Sequence, residues 1–347
     1  MTNDCTLTEK RRYDLIDLVR IVLAFFIVAT HSSLGTYIYP WVRIAVPLFF
    51  TISSFFLFSK INASNNDDEK RVVLLRFALR NAKLYLFWFI VLLPVIFIVH
   101  RDLYFSNGIM GILNLILNIF VGSTFQSSWF ISALVIGAFI VFYSSKVLKN
   151  KALVIISGIV FVLVALRSSY IDFFSGVEWG LKLAGYYEAF LNTPYTSFPA
   201  GLFWIAMGKV FADGFRIKLK PSIVLSCISA VLLFLEWFFI KTVTTPSVYT
   251  RDVYLMLGPL CVFLFNILIS VKPVSIKCAR MLRKMSAIIF AMHGSVIVIL
   301  YGICKLAKIS LPNIVIFLLT AVICVSVSLI ILKLEKFKYL RWLKYSH

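Results

Sequence analysis

Apolar stretches long enough to cross a bilayer recur from the first predicted helix to the last, and they constrain the fold more than any other feature. A helix of about 20 residues spans the ~30 Å hydrocarbon core, where every backbone N–H and C=O needs a partner within the protein. Of the 347 residues, 61% are hydrophobic and 14% are charged, whereas soluble domains average about 45–50% and about 25%. The sequence therefore predicts an all-α polytopic membrane protein without a soluble domain.

The hydropathy pattern predicts about ten transmembrane helices. Their expected positions are 14–36, 41–59, 84–100, 127–144, 152–169, 197–212, 222–240, 253–271, 285–304 and 313–333. A further apolar stretch at 109–121 is short for a full crossing, so we expect a re-entrant or interfacial helix there. Since all the spans belong to one bundle, we predict a single transmembrane domain over 1–347, with basic cytoplasmic tails at about 1–13 and 334–347.

Basic residues outnumber acidic ones by 35 to 15, a balance that also occurs in nucleic-acid-binding proteins. Their positions favour a membrane explanation. If the N-terminus lies inside, most of the Lys and Arg residues fall in segments that the alternating spans leave on the cytoplasmic side, where such residues concentrate. We therefore predict that both termini are cytoplasmic and that the partners are membrane lipids with anionic heads, not nucleic acid.

The N-terminal basic cluster and the apolar run from Leu15 also fit a cleaved signal peptide. The run ends at Ala29-Thr30-His31 without a small-x-small cleavage site. We therefore expect it to remain as the first transmembrane helix.

The six cysteines form no CxxC pair. Most of them fall within predicted spans, where cysteine behaves as a small apolar residue. We expect neither a disulfide framework nor a zinc site, and no metal cofactor.

Ionisable residues inside a bilayer cost about 2.5–3.5 kcal/mol each at mid-membrane, so each one is a functional candidate. The first helix carries the densest set, which is Asp14, Asp17, Arg20 and His31. Arg20 and His31 are eleven residues apart, which corresponds to a net rotation of about 20° and a rise of about 16 Å. They therefore share one helix face, and Asp17 lies one turn before Arg20, near enough to pair with it.

Arg20 and His31 suit different chemistry. With the N-terminus inside, Arg20 lies near the cytoplasmic boundary and His31 toward the outer leaflet. An imidazole exchanges protons near neutral pH, and a guanidinium suits phosphate or carboxylate. Structural roles remain open: Arg20 can snorkel to lipid phosphates, and His31 can be a core histidine that bonds a neighbouring helix. His293, near the middle of the ninth span, is either a second site residue or an interhelical hydrogen bonder.

The longest predicted outer loop, 170–196, is rich in aromatic and acidic side chains. These are Tyr170, Asp172, Glu178, Trp179, Tyr186, Tyr187, Glu188 and Tyr195. Such a surface suits sugar binding, and it equally suits an interfacial aromatic belt.

The first two spans resemble a known family. The residues 17–20 (DLVR), followed by ten residues and His31, are similar to the first-helix signature of the acyltransferase-3 membrane family, which is a basic residue, ten residues and a histidine. In the next span, 47–55 (PLFFTISSF) resembles the family's Pro-x-Phe-Phe-x-x-Ser-Gly-Phe pattern, with Ser54 in place of glycine.

Four further motifs follow in the family's order along the chain. They are 80–83 (RNAK), where members often have Arg-x-x-Arg, 128–134 (SWFISAL), 203–208 (FWIAMG) and 289–293 (IFAMH). Lys83 departs from the family's second arginine, and lysine is a poorer bidentate ligand for phosphate. The resemblance covers essentially the whole chain and is to members without a fused extracytoplasmic hydrolase-like domain.

The resemblance implies a bacterial inner-membrane enzyme that moves an acyl group, most often acetyl, from cytoplasmic acyl-CoA to a hydroxyl of a cell-envelope glycan or glycolipid. His31 would be the catalytic base or nucleophile, and Arg20 would act toward the donor. Acyl-CoA is the expected co-substrate, and its phosphates would meet the basic cytoplasmic face at Arg76, Arg80 and Lys83. The expected supporting residues are Asp17, Ser53, Trp129 and His293.

The helix rise of about 16 Å between Arg20 and His31 is close to the length of a pantetheine arm, so a thioester threaded through the bundle would reach His31. The main alternative is a transporter or flippase for a lipid-linked sugar or small solute, which would also bury His and Arg. Transporters often contain inverted repeats with paired broken helices, and no such pairing is visible in the sequence.

Overall fold

A computed structural model of the chain describes residues 13–174, 182, 185, 194–244 and 251–347. Within these ranges the chain forms helices and connecting turns, and no strand. The helices are α1 (Asp14–His31), α2 (Tyr39–Val42), α3 (Ala45–Asn62), α4 (Asp67–Val91), α5 (Leu93–His100), α6 (Gly108–Phe120), α7 (Ser128–Ser144), α8 (Asn150–Arg167), α9 (Phe198–Ala212), α10 (Leu219–Val243), α11 (Leu257–Ser270), α12 (Ala279–Ala307) and α13 (Asn313–Leu334). Short 3-10 turns lie at Ile171–Phe174, Pro194–Thr196 and Lys338–Ser346.

A helix coincides with each predicted span, and α6 coincides with the stretch predicted as re-entrant or interfacial. In the described part of the chain, five helices are long and apolar enough to cross a membrane. They are Tyr39–Asn62, which joins α2 and α3, and α8, α10, α12 and α13. The α4–α5 pair adds a sixth if it counts as one bent span. The prediction of an all-α multi-pass membrane protein is therefore confirmed.

The count of ten crossings and the orientation of the termini stay predictions. The helices α6, α7, α9 and α11 are apolar but shorter than a full span, and α1 carries Asp14, Asp17 and Arg20 in its first two turns. Outward faces of the longer helices expose large apolar side chains such as Ile155, Val231 and Val322, which a bilayer would cover.

The span predicted at 84–100 is sharply bent. The helices α4 and α5 meet at Leu92 with an angle of 68°, and Pro94 lies in the first turn of α5. Proline has no N–H to continue the hydrogen-bond ladder, and its ring clashes with the preceding turn. A π-helical turn, Arg101–Phe105, extends α5. Because of the bend, α5 forms one wall of the cavity that holds His31.

The centre of the bundle is α3, which is buried along most of its length and packs closely on α9. Gly208 makes this approach possible, because a Cβ there would collide with Ser54 Oγ and lie 2.6 Å from the Thr51 carbonyl oxygen. Ser54 occupies the position where the family signature has glycine, so the space for close packing comes from the partner helix instead. The Ser54 hydroxyl donates to the Phe50 carbonyl at 2.8 Å, and it is therefore satisfied within its own helix.

The helix α1 packs along α12 and also contacts α3. It ends at His31: the Ser32 N–H and hydroxyl both donate to the Val28 carbonyl at 2.9 Å, and Ser33 has a positive φ of 52°. This end of α1 lies opposite the middle of α12, so that His31 faces His293.

Candidate active site

A cavity of about 580 Å³ holds the His31 side chain at the end of α1. Its walls come from α1, α2, α3, α5, α7, α9, α11 and α12 and from the segment 123–127 that precedes α7. Among the residues that the sequence predicted for the site, His31, Trp129 and His293 line this cavity. Ser53 is half-buried in α3 and is not part of the cavity wall.

The two histidines of the cavity lie side by side. Their ring centroids are 5.1 Å apart and the rings are tilted by 34°. His293 Nδ1 is 2.8 Å from the Phe290 carbonyl oxygen, and a carbonyl only accepts, so Nδ1 carries the proton. His293 Nε2 is then an acceptor, and it is buried with no hydrogen-bond partner among the described residues. The cavity thus contains an unsatisfied nitrogen lone pair beside His31.

Gln126 holds the other side of the His31 ring. The Gln126 amide nitrogen is 2.6 Å from His31 Nδ1. The amide reaches this position because it lies against Gly294, where a Cβ would collide with Gln126 Oε1 and lie 2.5 Å from Gln126 Cβ. The contact fixes the plane of the imidazole and directs His31 Nε2 away from Gln126. Sequence reasoning missed Gln126, although the polar run 122–128 (GSTFQSS) between two apolar stretches is a visible signal.

The segment that carries Gln126 is held by hydrogen bonds to several neighbouring residues. Ser128 Oγ accepts from the backbone N–H groups of Thr124 at 2.8 Å and Phe125 at 3.2 Å. The Tyr85 and Thr124 hydroxyls are 2.6 Å apart, which links the segment to α4. The Ser127 hydroxyl donates to the Phe290 carbonyl at 2.7 Å, which links it to α12. Gln126 is therefore presented by a rigid turn.

An ion pair lies on the wall of the same cavity. Arg43 Nη2 is 2.6 Å from Asp252 Oδ1, and the Tyr39 hydroxyl donates to Asp252 Oδ1 at 2.9 Å. The Arg43 guanidinium also lies over the Tyr39 ring, 4.1 Å from its centroid. Sequence reasoning did not single out Arg43, because its partner Asp252 is more than two hundred residues away.

The outer loop predicted at 170–196 is described only in part. Glu178, Trp179, Tyr186, Tyr187 and Glu188 lie outside the described residues. Tyr195 lines the His31 cavity. The Tyr170 hydroxyl donates to Glu236 of α10, and Asp172 pairs with Arg251 at 3.3 Å.

At the other end of α1, Arg20 lies in a cluster of charges. Arg20 Nη1 is 3.2 Å from Asp17 Oδ1, and Arg283 Nη1 is 3.3 Å from Asp17 Oδ2. The Arg20 guanidinium also lies over the Phe56 ring at 5.3 Å. Arg80 and Arg283 both repel Arg20 electrostatically. Asp17 therefore pairs with two guanidinium groups, and a third, that of Arg80, lies near Arg20 without an ion pair to Asp17. The cluster attracts anions.

Arg76, Arg80 and Lys83 follow each other at four and three residues along α4, so they share one face of that helix. All three are exposed. The Arg80 guanidinium lies 5.7 Å from the Phe77 ring centroid, and Lys83 Nζ lies 5.3 Å from that of Tyr345 in the C-terminal segment. This basic face adjoins Arg20 through Arg80.

A second cavity, of about 880 Å³, opens beside Asp17 at this end. Its charged lining residues are Asp14, Asp17, Lys277, Arg280, Arg283, Lys284, Glu335 and Lys336. Bases outnumber acids in this lining. Sequence reasoning assigned these basic residues to topology and missed that Arg283 shares Asp17 with Arg20.

Comparison with known families identifies the chain. The model of the acyltransferase-3 family, described as an acyltransferase domain, matches residues 13–333. This protein belongs to the acyltransferase-3 family. The resemblance predicted from the motifs is confirmed over nearly the whole chain, and the apolar helices agree with a multi-pass membrane protein of this family.

Curated relatives include two proteins of Enterococcus faecalis that are named amino-acid racemase. One is 25% identical over 349 residues, which cover 94% of this chain and 47% of the relative. The other is 26% identical over 283 residues, which cover 76% of this chain and 37% of the relative. The chain thus spans less than half the length of these relatives. No solved structure matches it significantly.

Proposed function

We propose that this acyltransferase moves an acyl group, most often acetyl, from cytoplasmic acyl-CoA to a hydroxyl of a cell-envelope glycan or glycolipid. We further propose that it is a single domain with ten membrane crossings in the bacterial inner membrane, with both termini cytoplasmic. The observation that carries the proposal is the His31 ring in its cavity, oriented by Gln126 at 2.6 Å and flanked by His293.

Two reaction courses fit this arrangement. In direct transfer, the neutral His31 ring has its proton on Nδ1, which donates to the side-chain oxygen of Gln126 with that amide turned over. The free Nε2 then takes the proton of the acceptor hydroxyl while the hydroxyl oxygen bonds to the thioester carbon. The C–S bond then breaks, and the departing thiolate takes the proton from the imidazolium. In the covalent course, a His31 nitrogen bonds to the thioester carbon and releases CoA thiol, and the acceptor hydroxyl then attacks the acyl-imidazole. Both courses consume one thioester and one hydroxyl and yield an ester and a thiol.

His293 and Trp129 would orient the acceptor. The buried lone pair on His293 Nε2 can accept a hydrogen bond from a second hydroxyl of the acceptor, next to the one that reacts at His31. Trp129 offers the cavity a flat aromatic surface. Because Ser53 lies off the cavity wall, we assign it no contact with substrate.

The donor would enter at the opposite end of α1. The phosphates of acyl-CoA carry several negative charges, and Arg20, Arg80 and Arg283 form a positive cluster there. Arg76 and Lys83 extend the same charge along α4. Asp17 holds Arg20 and Arg283 together, so its role is to position these donor-binding groups. The rise of about 16 Å along α1 then separates the phosphate contacts from the thioester.

The test is replacement of His31 by Ala and, separately, by Gln, followed by mass spectrometry of the envelope glycans. We expect the acyl mass to disappear in both variants while the protein still inserts in the membrane. Gly302→Ala, at a position of α12 with open space around it, is the control and should leave the acyl mass in place. Acylation at the wild-type level in either His31 variant would overturn the proposal.

A transporter or flippase for a lipid-linked sugar or small solute is the second candidate. It is favoured by the half-buried Arg43–Asp252 pair on the cavity wall, which could exchange partners with a zwitterion. Proteoliposomes loaded with radiolabelled acyl-CoA separate the two candidates. Transfer of label to an added glycan acceptor supports the enzyme, whereas solute movement without any acyl transfer supports the transporter.

A further inference from the structure

A third cavity, of about 490 Å³, lies next to the one that holds His31. The two cavities share Thr30 and Val42 in their walls. Thr30 directly precedes His31, so a molecule in the third cavity lies within one residue of the proposed catalytic side chain. The third cavity is bounded by the end of α1, by the turn at 33–38 that follows it, by α2, by the end of α10 and by Arg251 and Tyr254.

The chemistry of this lining differs from that of the His31 cavity. Three aromatic rings contribute to it, from Tyr39, Trp237 and Tyr254, together with the cations Lys241 and Arg251. None of its described lining residues is acidic. Aromatic faces next to positive charge suit a ring-shaped polar ligand that carries an anionic group.

Lys241 supplies the unbalanced charge. Its Nζ lies 5.2 Å from the Trp237 ring centroid and 5.4 Å from that of Tyr37, so the two rings hold the ammonium group in place. Lys241 pairs with no carboxylate in the part of the chain that the structure describes. By contrast, Arg251 is 3.3 Å from Asp172, and the nearby Arg43 is 2.6 Å from Asp252.

We propose that this cavity is an acceptor subsite that binds a carboxylate or phosphate group, and that the acceptor is therefore an anionic saccharide. Lys241 binds the anionic group, and the sugar ring lies against Trp237. A neighbouring unit or hydroxyl of the same acceptor then reaches His31 past Thr30. This inference rests on the proposed function for the identity of the acceptor, but the binding of an anionic sugar does not depend on acyl transfer.

An anionic lipid headgroup could offer the same phosphate to Lys241 and Trp237, since lysine and tryptophan are common at the membrane interface. The experiment therefore separates a saccharide from a lipid. The protein is placed in nanodiscs of phosphatidylcholine, and the binding of glucose, glucuronate and glucose 1-phosphate is measured by calorimetry. These three probes share one ring and differ in charge.

We expect wild-type protein to bind both anionic sugars more tightly than glucose. Lys241→Gln should weaken both anionic sugars about tenfold, which is the usual scale for a hydrogen bond to a charged group, and leave glucose unchanged. Lys305→Gln is the matched control, because Lys305 is an exposed lysine at the same end of the bundle outside the cavity, and it should change nothing. Equal binding of all three sugars, or equal binding by the Lys241 variant, would overturn the proposal.

The lipid arm repeats the titration in nanodiscs that contain phosphatidylglycerol. Affinity for the anionic sugars within about twofold of the first value supports a saccharide subsite. If phosphatidylglycerol abolishes the Lys241-dependent part of the binding, the cavity belongs to a lipid headgroup and the inference is wrong. His31→Gln should keep the sugar binding, so loss of acylation in that variant bears on the proposed function alone.

Discussion

At the scale of single residues, Gly294 and Gln126 contact each other. A double-mutant cycle can therefore test whether they act on His31 together. Gly294→Ala introduces a methyl group 2.5 Å from Gln126 Cβ, so the Gln126 side chain must leave His31. We expect acyl transfer to fall about tenfold or more, as it should in Gln126→Gly. When the two substitutions are combined, position 126 has no Cβ for the methyl group to meet, and the second substitution should add almost no further loss.

The control for this cycle lies on the same helix. Gly302 of α12 has open space where its Cβ would be, so Gly302→Ala should leave acyl transfer unchanged. Additive losses in the double variant would mean that Gly294 acts on His31 by some route other than Gln126. If the Tm falls in parallel with the rate of acyl transfer, the contact between Gly294 and Gln126 serves to pack the helices and not to orient His31.

The site residues that the sequence revealed differ from those it did not reveal in the free energy needed to place them where they lie. Arg20 and His31 stand out because ionisable groups in apolar stretches are expensive. Gln126 is an amide in a polar turn, where placing it requires no unfavourable free energy. It reaches His31 only because Gly294 of a distant helix leaves room for its side chain. Arg43 looks like an ordinary interfacial arginine until Asp252 is beside it. No pattern within one helix reports such contacts.

At the scale of elements, Asp213 joins the ends of three helices. Its carboxylate accepts from Asn62 of α3 at 2.9 Å, Asn150 of α8 at 2.7 Å and Lys209 of α9 at 2.6 Å. Burial raises the pKa of Asp213, but these three donors outweigh burial and hold that pKa below its usual value. Asp213→Ala should therefore lower the Tm in detergent by roughly 5 °C at pH 7.

The pH dependence of this effect has a defined sign. Because the folded pKa of Asp213 is depressed, its contribution is complete above the unfolded value of about 3.9 and is lost as the pH falls through the folded pKa. The difference in Tm between wild type and Asp213→Ala should therefore shrink below about pH 4. Asp68→Ala removes an exposed carboxylate and should lower the Tm less. A difference that stays constant down to pH 3 would contradict the role given to Asp213.

The positions of the helices were largely predictable from the sequence, and the sharp bend between α4 and α5 was not. Helix positions follow hydropathy, so predicted spans such as 152–169 and 313–333 lie close to α8 and α13. The bend between α4 and α5 is marked by Pro94, but proline in an apolar run is compatible with a mild kink or a sharp turn. The angle of 68° depends on how α5 packs against its neighbours, which no local pattern contains.

At the scale of the whole molecule, substitutions at the two ends of α1 should impair different steps, donor binding at one end and acyl transfer at the other. Arg20→Ala should weaken acyl-CoA binding in detergent about tenfold, because it removes one of three guanidinium groups from the positive cluster. Asp17 keeps Arg283 as a partner at 3.3 Å, so the fold should survive. His31→Gln should bind acyl-CoA with wild-type affinity while transferring nothing. Unchanged affinity in Arg20→Ala would reassign Arg20 to lipid or structural contact, and loss of affinity in His31→Gln would mean that one end cannot work without the other.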